Sequence, residues 1–163
     1  MIRAEVDAMM GNGLIKLTLA DIMLLAEAQS PYIYGGDITA DDIELAKRIT
    51  GHTEMHDADF HTVMLAELDA AFRPLELLEP SKDDGNGKKS RIEPFSPEWM
   101  ADILRASCQA MPSLTIDQAM HDAPMCLLMH LVLAEARAQG ATTRRPPDIK
   151  AALEQYKKLK EKD

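Results

Sequence analysis

Apolar residues recur along this chain at helical spacing, and no segment shows the two-residue alternation of a half-buried strand. The longest apolar run is Met125–Gln139, whose first nine residues are interrupted only by His130. A helix that is apolar on every side is usually buried, so this run predicts a central helix on which the others pack. Charges at Glu135 and Arg137 leave the run too short to span a bilayer. The predicted fold is all-α, a compact bundle of about six or seven helices.

Threonines precede several apolar stretches and predict where helices begin. Thr18 is followed three residues later by Asp21, and Thr115 by Gln118, which is the spacing of a capping box. Thr39 has an aspartate at the same offset and predicts another N-cap. The predicted helices are Leu19–Gln29, a helix between Thr39 and Gly51, one from Thr53 or Asp57 to Phe72, Glu98–Met111 and Ile116–His121. Ser30-Pro31 is expected to end the first of them, and residues 32–36 are expected to form a turn. Pro74 is expected either to end its helix or to open a short turn at residues 75–78.

Two further segments differ in composition from these helices. Ser81–Ser90 contains charges and glycines but no apolar residue, and it predicts a mobile loop inside a helical domain at 1–147. Residues 148–163 predict an amphipathic C-terminal helix, which follows a basic turn. Its narrow apolar stripe, of roughly heptad width, includes Ile149, Leu153 and Tyr156. The pattern leaves open whether this stripe docks on its own domain or binds a partner.

Composition and charge narrow the functional classes. The net charge of −9 argues against nucleic acid as a main ligand, because phosphate binding needs a clustered basic surface. The eleven methionines suit an irregular core or a surface that accepts varied apolar partners. Cys108 and Cys126 are expected to be free thiols in a reducing compartment. Neither a signal peptide nor a membrane-spanning segment is predicted, so the expected location is the cytoplasm.

The strongest candidate for chemistry is a histidine-rich segment. His52, His56 and His61 lie within ten residues, and His52 and His56 have the spacing that places two side chains on one helical face. This pattern defines one alternative, a small metal-dependent enzyme or regulator. Gly51 breaks the helix just before His52, so a solvated polar face is the preferred interpretation. No phosphate loop or nucleophile elbow is present, and the main prediction is a protein without catalytic residues, metal or cofactor.

The order of helix ends and breakers resembles that of a known family. A capped helix ends at Ser30-Pro31, a Thr-capped helix with the sequence ADDIELA follows, and Met111-Pro112 precedes an Ala- and Leu-rich helix. Gly140 and the basic Arg144-Arg145-Pro146 turn then lead to the charged C-terminal helix. This order resembles the small all-helical tail assembly chaperones of tailed bacteriophages. The resemblance implies a non-enzyme that binds the tape measure protein and helps to recruit tail-tube subunits in the host-cell cytoplasm.

Amphipathicity then selects a candidate partner-binding surface. The first and the last helix carry the residues of this prediction, which are Ile22, Met23, Leu25, Ile149, Leu153 and Tyr156. A second alternative of the same broad class is a virion component, such as a head–tail connector or adaptor. The sequence does not determine the oligomeric state, and it is compatible with a homo-oligomer.

Overall fold

A computed structural model of the protein describes residues 15–78 and 92–141. Within these ranges the chain forms seven α-helices and no strand, which confirms the predicted all-α class. The helices are α1 Leu19–Glu27, α2 Pro31–Tyr34, α3 Ala40–Thr50, α4 Asp57–Glu76, α5 Pro97–Ala110, α6 Ile116–His121 and α7 Met125–Ala138. The predicted Ser81–Ser90 loop and the predicted C-terminal helix lie outside the described residues.

Three helices begin with the predicted threonine caps. Thr18 Oγ1 accepts a hydrogen bond from Asp21 N at 3.2 Å, and Asp21 Oδ2 accepts one from Thr18 N at 3.0 Å. The same reciprocal pair of bonds joins Thr39 to Asp42, and Thr115 to Gln118. Each cap satisfies backbone N–H groups that have no partner inside the helix, which typically stabilises a helix by about 1 kcal/mol. Thr39 also donates to Asp42, and these bonds hold the pKa of the Asp42 carboxyl below its usual value.

The predicted stop at Pro74 is wrong. Helix α4 continues through Pro74 to Glu76, and the proline ring is almost fully buried. Proline lacks one N–H donor, but its fixed φ angle suits a helix, and a position in the last turn interrupts only one intrahelical bond. Burial of the ring therefore offsets a small local cost.

The predicted turn at residues 32–36 contains a one-turn helix. Ser30 is the N-cap of α2, and its hydroxyl accepts a hydrogen bond from Tyr32 N at 3.3 Å. Pro31 occupies the first helical position, where a missing N–H has no consequence. Gly35 follows with a φ of 80°, so the change of direction lies in the second half of the predicted turn.

Helix α7 is the predicted central helix, and it makes its most extensive contacts with α5 and α4. Its buried side chains are Met125, Cys126, Leu128, Met129 and Leu133. Its N-terminus is fixed by a hydrogen bond of 2.7 Å from Met125 N to the carbonyl of Leu17, in the extended segment before α1. Leu127, Leu131 and Val132 remain half-buried, so the described residues do not enclose α7 on all sides. No described helix combines the length and hydropathy needed to cross a membrane.

Candidate functional site

An open apolar groove of about 240 Å³ lies between α5 and α7 and is also lined by one residue of the last turn of α4. Helix α5 contributes Trp99, Ile103 and Ala106 to its floor. Helix α7 contributes Met129, Val132 and Ala136, and α4 contributes Leu75. Trp99 and Val132 are half-buried, whereas Met129 is fully buried at the base. The floor is therefore apolar and partly open to solvent.

Helical periodicity explains why these side chains face each other. Trp99, Ile103 and Ala106 are spaced i, i+4 and i+7, and Met129, Val132 and Ala136 are spaced i, i+3 and i+7. Residues at these offsets lie on one face of a helix, so one apolar stripe from each helix lines the groove. Its volume lies below the range of about 300–1,000 Å³ that is usual for small-molecule pockets. An open channel between two helices is better matched to the side chains of a third helix.

Polar side chains form the rim of the groove and interact with one another. Arg105 lies 3.4 Å from an oxygen of Asp102, and Gln139 donates to Glu135 at 2.8 Å. These pairs are at least partly exposed and each contributes little to stability. An apolar centre with a polar, solvent-accessible rim is the usual organisation of a protein–protein interface.

An aromatic cluster adjoins the groove at Trp99. Phe95 packs against Trp99, Phe72 and Tyr34, with ring centroids 4.9, 6.0 and 5.8 Å away. Phe95 has a φ of 63°, a left-handed conformation that is rare for a bulky residue. The packing of three rings compensates for this conformation. This cluster was not predicted from the sequence, although Phe95 and Trp99 are close together in a chain whose aromatic content is only 4%.

We expect Phe95→Ala to lower the free energy of unfolding by about 1–3 kcal/mol, because three ring contacts are lost and the strained φ remains. Urea denaturation followed by circular dichroism measures this change. The matched control is Ile92→Ala, since Ile92 precedes the same helix and is 44% exposed. Equal midpoints for the two variants would contradict the role assigned to Phe95.

The predicted partner-binding residues of the first helix are placed differently from the prediction. Ile22 and Leu25 have no exposed surface and belong to the hydrophobic core, whereas Met23 is half-buried. Their apolar stripe faces the chain's own interior, where α1 contacts α2, α3 and α6. Ile22 and Leu25 are therefore inaccessible to a partner in this conformation. Ile149, Leu153 and Tyr156 lie outside the described residues and stay a prediction.

The three clustered histidines do not converge on one point. His56 is the N-cap residue of α4, and His61 is bonded through Nδ1 to the Tyr32 hydroxyl at 2.9 Å. Burial raises the pKa of Tyr32, so this hydroxyl keeps its proton near neutral pH. In residues 15–78 and 92–141, no three His, Cys, Asp or Glu side chains are placed to hold a metal ion. The metal-dependent alternative thus has no ligand set in the part of the chain where these histidines lie.

Comparison with family models, with curated protein sequences and with solved structures finds no match for this chain. The groove between α5 and α7 is therefore the feature from which a function can be inferred, through its shape and its side chains.

Proposed function

We propose that this protein is a non-catalytic binding protein whose groove between α5 and α7 receives an apolar helix of another chain. The observation that supports this class is the pair of facing apolar stripes with a polar rim. Recognition of a helix in a groove needs this arrangement, because side chains spaced i, i+3 or i+4, and i+7 enter the groove together. Methionine at the base adds adaptability, since its side chain can repack around different partners.

Within this class, we propose a tail assembly chaperone of a tailed bacteriophage, acting in the host-cell cytoplasm. Its partner would be the tape measure protein, a long helical chain with exposed apolar residues, and it would help to recruit tail-tube subunits. The support is the resemblance in the order of helix caps and breakers, together with a net charge of −9. A strongly acidic chaperone keeps a bound apolar partner dispersed, because like charges repel between complexes.

The test is co-expression with a tape measure protein, with the soluble fraction of that partner as the readout. The unmodified chain should raise this fraction. Ala136→Glu places a carboxylate on the floor of the groove and should weaken binding by about 30-fold or more, since burying an unpaired charge costs at least about 2 kcal/mol.

The matched control is Ala134→Glu, because Ala134 is an exposed alanine of the same helix and does not line the groove. It should behave as the unmodified chain does. If the unmodified chain leaves the partner insoluble, the chaperone proposal fails. If Ala136→Glu and Ala134→Glu retain equal binding, the groove is not the binding site. Detection of the protein in mature virions by mass spectrometry would favour a structural component over a chaperone.

A further inference from the structure

The groove between α5 and α7 lies next to the point at which the described chain ends. Gln139 is part of the rim, and Ala141 is the last described residue. Residues 142–163 follow directly in the sequence and carry the apolar stripe of Ile149, Leu153 and Tyr156. This stripe is therefore tethered beside a partly open apolar groove.

The lengths of the segment and of the groove agree. Residues 142–147 can span up to about 20 Å when extended. A helix over residues 148–161 would be about 21 Å long, and the part of α7 from Met129 to Gln139 extends about 15 Å. The linker is thus long enough for the segment to turn back and lie along the groove.

The chemistry of the two surfaces also agrees. Ile149, Leu153 and Tyr156 are spaced i, i+4 and i+7, which is the spacing of an anchor set for an apolar groove. Residues 142–163 contain seven Lys and Arg against four Asp and Glu, a net charge of +3, so the preceding 141 residues carry −12. Lys150 and Lys157 lie seven residues apart on one edge of the stripe. The rim of the groove contains two carboxylates, Asp102 and Glu135, and one cation, Arg105. Opposite net charges favour docking of this segment over that of an acidic partner segment.

We propose that residues 148–161 dock as a helix in the groove between α5 and α7 of the same chain. Covalent attachment through a short linker gives an effective concentration in the millimolar range, so a second copy at micromolar concentration does not compete. This inference does not depend on the proposed function. Where both hold, the segment must leave the groove before a partner helix can bind, and it acts as an internal competitor.

Trp99 provides the test, because it is the only tryptophan of the chain and lines the groove. In the full-length protein, Leu153→Gln removes an anchor of the stripe. We expect it to shift Trp99 emission to the red and to increase quenching by acrylamide, since the indole becomes more accessible to water. Ile149→Gln should have the same effect. Lys158→Gln lies on the opposite side of the predicted helix and should leave both measurements unchanged.

Three outcomes would overturn the proposal. The first is unchanged Trp99 emission and quenching in both stripe variants. The second is an equal change in Lys158→Gln. The third is protection of Trp99 that falls on dilution while light scattering reports a dimer, because the occupant would then come from a second copy. No partner protein enters this experiment, so its failure is separate from failure of the co-expression test.

Discussion

Phe60→Ala is expected to lower the free energy of unfolding by about 3–5 kcal/mol, a large part of the stability of a typical domain. Phe60 has no exposed surface and lies in the core formed by α4 with the helices around it. Its ring meets Tyr32 edge-on, with centroids 6.5 Å apart and an interplanar angle of 88°. Truncation to alanine removes apolar surface that folding would bury, and it leaves a cavity in the core. The two costs add.

Urea denaturation measures this effect, with Leu65→Ala as the control on the same helix. Leu65 is 45% exposed, so its truncation should change stability by only about 0.5 kcal/mol. Circular dichroism and Trp99 fluorescence should report the same midpoint, because Phe60 and the groove residue Ile103 belong to one core. Similar midpoints for Phe60→Ala and Leu65→Ala would mean that Phe60 does not hold this core together.

The helix starts were predictable because the signals are local. Each of three N-caps combines a threonine with an Asp or Gln three residues later. Both side chains act within a single helical turn, so the cap does not depend on tertiary contacts. Gly51 likewise adopts the left-handed conformation that ends α3. Pro74 was misjudged because its outcome depends on burial of the ring, which is set by contacts distant in sequence.

The candidate site was less predictable for a physical reason. Amphipathicity shows that Ile22 and Leu25 share a face, but the same pattern arises whether that face meets the chain's own core or a partner. Both residues are fully buried, so in this helix the apolar face packs into the chain's own core. The groove depends on how α5 lies beside α7, and no feature within either helix encodes that arrangement. Helical spacing places Trp99 and Ile103 on one face of α5, but their exposure follows from tertiary packing.

The two proposed occupants of the groove compete with each other. A partner helix and residues 148–161 would use the same apolar floor, and only one can be present at a time. Docking of the internal segment therefore reduces the apparent affinity for a partner in proportion to the fraction of molecules in which the groove is free. Leu153→Gln should then bind a tape measure helix more tightly than the unmodified chain does, whereas Ala136→Glu weakens both interactions.

Asp57→Asn is expected to destabilise the protein by about 1–3 kcal/mol, whereas Lys47→Met is expected to be neutral or stabilising. Lys47 is only 6% exposed, and its Nζ lies 2.9 Å from Asp57 Oδ1 and 3.8 Å from Glu44 Oε2. Removing the Asp57 charge leaves a buried ammonium with a single, more distant carboxylate. Replacing the lysine by methionine instead removes the cost of burying the charge and keeps most of the apolar volume.

Arg48→Met is the matched control, because Arg48 is adjacent on α3 and its pair with Glu44, at 3.6 Å, is exposed. That pair should contribute less than about 0.5 kcal/mol. The measurement is the urea midpoint at neutral pH for the three single variants and for the Lys47→Met, Asp57→Asn double variant. The comparison gives the coupling between Lys47 and Asp57. When Lys47 is replaced by methionine, no buried charge depends on Asp57. Asp57→Asn should therefore lower the free energy of unfolding only slightly in that background. A cost of equal size in both backgrounds would show that Asp57 stabilises the start of α4 by itself, through the helix dipole, and not through Lys47.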